Sequence, residues 1–271
     1  MPQKTKQRGK TFRMGLEEGI LSTMLRKPIL GIFLLFAAAC QKESPTTAVE
    51  APAVAPVKII EADPVVDARD RRTYSTVQIG QQEWMAENLE FDPKDSVWSR
   101  ANPGLIASHR YYSWPSAMGG DTLLPNWCDV NKPPRGVCPA GWHLPDTSEW
   151  LVLARSLGGT EAAGQFLKGT VGWDPPLDGS APDTGLHLFN ARPFGYWTRG
   201  DQGFGLSGHT PPDSAFLEEG SRAAYWTRSN RVDFSCTSAW AVFLAAQDRG
   251  MRLLVVPRVT ALNIRCVRDT L

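Results

Sequence analysis

Trp150, Leu153, Ala154 and Leu157 recur at the three- and four-residue spacing that lines one face of a helix. Asp146 stands before them and Glu149 three residues on, the D-x-x-E form of a capping box. In that motif the first carboxylate accepts from first-turn amides and the second reaches back to the cap's own N–H. Arg155 falls in the last turn, where it suits the helix dipole, and Gly158-Gly159 supplies left-handed geometry to end it. The spacing predicts a helix over about 147–157, with a second short helix over 161–168. Thr73 to Ile79 alternates, Gly80-Gln81 follows, and Gln82 to Met85 completes a hairpin signal. Residues 238–244, 251–256 and 261–267 read as further strands, with a turn at 246–250. Residues 100–135 and 169–222 are rich in Gly, Pro, Asp and Ser and are expected to be long ordered loops. YWTR occurs at 196–199 and again at 225–228. The flanks differ, so these are two separate aromatic strand positions. The expectation is an α+β fold: a loop-rich single domain with antiparallel strands and one or two short helices.

A different pattern governs the N-terminus. Arg26 and Lys27 precede a mostly apolar run from Pro28 to Ala39. Charge followed by a short apolar core and small residues is the layout of a secretory signal. A bilayer span takes about 20 residues, more than this run holds. Ala37-Ala38-Ala39-Cys40 is similar to a bacterial lipobox, in which cleavage leaves a lipid-bearing cysteine, here Cys40. Ala37 stands where such boxes usually carry leucine. An ordinary signal peptide cut nearby is the alternative. Residues 1–23 precede a more natural start at Met24 and read as a mis-called extension. Gln41 is not the aspartate that holds some lipoproteins in an inner membrane, so the expected address is an outer membrane, with the lipid as anchor.

Residues 41–68 hold no aromatic residue and four prolines, at 45, 52, 56 and 64. Such a segment buries too little apolar surface to offset its ordering entropy. It is expected to be an extended spacer, so that residues 40–69 form the lipidated cysteine and a disordered linker. The folded domain then occupies 70–271. Removing residues 1–39 leaves 22 Lys/Arg against 26 Asp/Glu, so the mature chain lacks a basic nucleic-acid footprint. Ten tryptophans, with 24 Gly and 21 Pro, favour short strands and aromatic anchoring over a helical bundle.

The segment VCPAGWHLPDTSEW, residues 137–150, carries the densest candidate chemistry. Asp146 and Glu149 already have a complete structural task in the cap. His143 as a zinc ligand would need further nitrogen or sulfur donors at workable spacing, and His109, His187 and His209 are isolated. A packed, hydrogen-bonded His143 is the expectation. Cys138 and His143 as a nucleophilic pair are opposed by export, which favours oxidised cysteine. After Cys40 four cysteines remain, Cys128, Cys138, Cys236 and Cys266. An even number in an exported chain suggests two disulfides with three possible connectivities.

These residues resemble the Fibrobacter succinogenes major paralogous domain, a module of exported bacterial proteins. Besides VCPAGWHLPDTSEW, the motifs are STVQIGQQEWMAENLEF, RYYSWPSAM, GQFLKGTVGW, AAYWTRS and ALNIRCVRD, in the family's order over about residues 70–269. WTRS replaces the usual serines, and Asn263 and Ile264 replace the usual small residue and valine. The resemblance implies an α+β domain. The H-L-P-x-x-x-E-W helix start and the final R-C-V strand also look like C-type-lectin-like and formylglycine-generating-enzyme folds, an analogy of fold alone. The calcium signature of C-type lectins and the cysteine pair of sulfatase-activating enzymes are missing. The family's habit pairs Cys138 with Cys266, leaving Cys128 with Cys236.

Three functions remain open. The first is a tethered binding or adhesion domain for a polysaccharide or an envelope protein, non-enzymatic and without cofactor, metal or nucleic-acid partner. Trp173, Asp174, Trp197, Trp226 and Arg228 (or Arg199) are its candidate ligand-binding residues. The second is a hydrolase or a calcium-binding loop using Asp174, Asp178 or Asp183 in the 173–185 segment, where turns favour Asp for backbone reasons alone. The third is a structural envelope protein that binds nothing soluble.

Overall fold

The computed structural model describes residues 58–93, 97–101, 108–119, 135–175, 187–198, 215–230 and 237–270. Cys40, Cys128, Cys236, Asp178, Asp183, Arg199 and His209 lie outside them. The first sheet begins with strands β1 (Ile59–Val66), β2 (Thr73–Ile79) and β3 (Gln82–Met85). Next along the chain come β4 (Val97–Ala101), β5 (Ser108–Ser113), the one-turn helix α1 (Trp114–Ala117) and β6 (Trp142–His143). Helices α2 (Thr147–Ser156) and α3 (Thr160–Leu167) precede β7 (Tyr196–Thr198) and β8 (Ala215–Leu217). Strands β9 (Arg222–Asn230), β10 (Ser238–Ala245), β11 (Met251–Pro257), β12 (Ala261–Leu262) and β13 (Val267–Arg268) complete the order. They assemble into three open sheets, β1-β2-β3-β13-β6, β11-β10-β9 and β4-β5-β12-β7-β8. All named strand pairs are antiparallel. Mostly antiparallel sheet with a few short helices fits an α+β or mainly β fold.

The central sheet explains why SAWAVFL is apolar at nearly every position. Side chains alternate across a strand. Ala239, Ala241 and Phe243 of β10 enter one core with Ala224 and Trp226 of β9. Val242 and Leu244 enter a second core with Ala223 and Tyr225. A sheet buried on both faces shows no polar alternation. The second core also takes the apolar face of α2. Trp150 lies 4.7 Å from Trp84 and stacks on Tyr225 at 5.7 Å, centroid to centroid.

Helix α2 carries the capping box read from the sequence: Asp146 accepts from the Glu149 N–H, and Glu149 accepts from the Asp146 N–H at 2.8 Å. The hairpin β2–β3 has the expected limits.

Three expectations need correction. The disordered linker does not extend to residue 69, because β1 pairs with β2 from Ile59–Ile79 to Val66–Thr73. Main-chain pairing holds β1, and its side chains bury little. Pro64 is tolerated because the strand is at a sheet edge and its register slips between Ala62 and Val65. The expected loops contain β4, β5, α1 and β8, while β7 falls on the first of the two YWTR positions read as strand. These are short and interrupted by turn-forming residues, which masks their period. Residues 261–267 are two short strands in different sheets, since the chain crosses from the third sheet to the first between β12 and β13.

Candidate functional site

The dense segment 137–150 folds into a corner between β6 and α2. Cys138 is disulfide-bonded to Cys266, next to the last strand, and both sulfurs sit in the first core. The bond engages the thiol that a Cys–His nucleophile would need. His143, on β6, is buried. Its Nδ1 lies 2.6 Å from Asp269 Oδ1 and its Nε2 2.6 Å from Glu149 Oε1. Burial works against charge on the ring, but the hydrogen bonds to Glu149 and Asp269 outweigh it and raise His143 above the ordinary histidine range. Arg228 approaches from β9, with Nη2 3.0 Å from Asp146 Oδ2 and 3.6 Å from Glu149 Oε2. Arg135 holds the other Asp269 oxygen at 2.6 Å. For Asp146, burial is outweighed by bonds from Ser148, the Glu149 N–H and Arg228, which lower its pKa. Cations and carboxylates thus alternate along one line. Among the described residues, no group of three or more His, Cys, Asp or Glu is placed to hold a metal ion.

The expected ligand residues separate into two groups. Trp226 is fully buried in the first core, and its indole N–H donates to the Tyr112 carbonyl at 2.7 Å. It has no face for a ligand, so the expectation that it stacks on one is corrected. Arg228 is tied to the helix cap. Trp197, by contrast, is half-buried and stands opposite Phe216 across β7–β8. These two pack on a small cluster of Tyr111, Phe194 and Ala261, apart from both larger cores. Tyr111 and Phe216 are 4.9 Å apart.

Trp173 is half-buried, with its indole N–H donating to the Ala191 carbonyl and the Lys168 ammonium 5.4 Å from its ring centre. Asp174 is exposed. Its N–H donates to the Gly220 carbonyl, and the Gly220 N–H donates to Pro193. The turn after β8 therefore ties the Trp173–Asp174 segment to the base of the hairpin that carries Trp197. Gly220 has a φ of +83°, and a Cβ there would come within 2.6 Å of Asp174 Oδ1, so glycine is required for this approach. Phe216 and Gly220 are four residues apart, a backbone reach of at most about 14 Å.

Sequence reasoning did not find Tyr111, Phe216 or Asp269. Tyr111 and Phe216 belong to strands read as loop. Asp269 reaches His143 only through the long-range pairing of β13 with β6.

The sequence model of the Fibrobacter succinogenes major domain matches residues 77–268. The chain belongs to this family. No match was found among curated proteins or among solved structures. The matched span of the Fibrobacter succinogenes major domain runs from β2 to the end of β13, so β1 precedes it.

Proposed function

We propose that this chain is an exported, lipid-anchored protein of the outer membrane whose domain binds a polysaccharide or an envelope protein without catalysis. The observation that carries the reading is the half-buried aromatic pair Trp197–Phe216, held apart from the two main cores and tied by the Gly220 turn to Trp173 and the exposed Asp174. Aromatic faces beside a carboxylate suit sugar rings, which offer an apolar face and hydroxyl edges. The reactive groups of the 137–150 segment support a non-enzymatic role, because each is engaged in the fold. Cys138 is bonded to Cys266, both nitrogens of His143 face carboxylates, and Asp146 and Glu149 cap α2.

The apolar run before Cys40 supports export and lipidation, and Gln41 supports the outer membrane. The finer fold assignment, C-type-lectin-like, rests on the HLP segment that opens α2 and the final strand after Arg265-Cys266.

Retention on immobilised polysaccharides and on envelope fractions tests the proposal. The wild-type domain should be retained by at least one, and Trp197→Ala should weaken retention about tenfold or more, the loss expected of an aromatic anchor. Wild-type retention by none, or full retention of Trp197→Ala, would overturn it.

A further inference from the structure

We propose that His143 is a proton-operated latch that fastens the C-terminal segment to the start of α2, closed when the ring is protonated and released when it is neutral. Ionised carboxylates only accept hydrogen bonds, so the two 2.6 Å contacts, to Asp269 and to Glu149, need an N–H on both ring nitrogens. Only the imidazolium has both. Loss of the proton to solvent sets a bare nitrogen against a carboxylate oxygen on one side, and that contact must open.

The two sides are not equally held. Glu149 also accepts from the Asp146 N–H at 2.8 Å and lies 3.6 Å from Arg228, inside a ten-residue helix. Asp269 follows a strand of two residues, and its side chain is 39% exposed. Its other anchors are Arg135 and its own N–H, which donates to the Gly141 carbonyl at 2.9 Å. The Asp269 side therefore gives way first.

The charged groups around the ring are Glu149 and Asp146 at the start of α2, Asp269 after β13, Arg228 from β9 and Arg135 before β6. The arginines oppose protonation. The two carboxylates in direct contact outweigh them and the burial, which places the transition above the ordinary histidine value of about 6.5. The sign follows. A group whose pKa is raised by folding contributes stability in full below its unfolded value and loses it as pH rises through the folded one. The latch is closed below the folded-state pKa of the ring, while both carboxylates are ionised, and opens as pH rises through it.

NMR on the intact domain tests this. The His143 ring should titrate above about 6.5. Through that titration the protection factor of the Asp269 amide, corrected for intrinsic exchange, should fall roughly tenfold or more, the equivalent of one charge-assisted hydrogen bond. The amides of α2 should keep theirs. Asp269→Asn leaves the cap untouched, and should lower the His143 pKa and abolish the change in protection. His143→Gln should show no such transition. A ring that titrates at or below the ordinary value overturns the proposal. So does Asp269 protection that stays constant through the titration, or an unchanged profile in Asp269→Asn.

Discussion

Arg265 is 1% exposed, an uncommon setting for a guanidinium. Its five N–H groups are taken up by Asn88 Oδ1 (twice), the carbonyls of Met85 and Phe189, and the Tyr225 hydroxyl. The rings of Phe189 and Tyr225 lie 4.5 and 5.4 Å from its central carbon. Burial lowers its pKa, yet it stays a cation, because arginine does not deprotonate in proteins. Arg265→Met would fill much of the volume but leave four acceptors without this donor, so about 3 kcal/mol or more should be lost in urea unfolding. Arg265→Lys should also destabilise, since an ammonium lacks the planar fork and the stacking face. The sequence hid this role. An arginine among Ile264, Cys266 and Val267 reads as the outward position of a strand, and only the irregular crossing between β12 and β13 turns it inward. Trp226 shows the same difficulty. Its type suits a sugar face, but its place on a doubly buried strand commits it to the core.

Elements with a local signal were legible, and those held by distant partners were not. Helix α2 announces itself within fourteen residues through its cap, its apolar face and its terminal glycines. The hairpin β2–β3 does so through alternation and a glycine turn. Strand β1 has neither, because pairing with β2 stabilises it and its own side chains contribute little. The candidate site was legible only in part. Trp173, Asp174 and Trp197 could be named from the sequence, but the hairpin and turn that gather them depend on β8. Asp146→Ala removes the cap of α2 and the partner of Arg228, and should cost roughly 1–2 kcal/mol by chemical unfolding. Asp146→Asn should cost less, since asparagine caps nearly as well. The charge-dependent share has a defined sign. Because folding lowers the Asp146 pKa, that share is present above the unfolded value of about 3.9 and is lost as pH falls through the folded one.

Across the whole molecule, the first and last strands of the described residues lie in one sheet, with β13 between β3 and β6. The Cys138–Cys266 bond spans 128 residues in sequence and covalently ties the segment before β6 to the start of β13. On the chain-entropy account, closing so long a loop stabilises by about 5 kcal/mol. The double variant Cys138→Ser, Cys266→Ser should lose most of that in denaturant titrations, and a loss near zero would show that the unfolded chain is already restricted. The pairing was legible only through the family resemblance, since four cysteines alone allow three arrangements.

The same bond divides the chain mechanically. Pulled by its two ends, the protein transmits tension through the sulfur bridge, so residues 139–265 form a ring that carries no load. Stretching can draw out β1, β2 and β3, while the central sheet and both longer helices stay slack inside the ring. Reduction would release a further contour of about 440 Å. Trp197 and Phe216 lie inside the shielded part, whereas Tyr111, against which they pack, lies outside it.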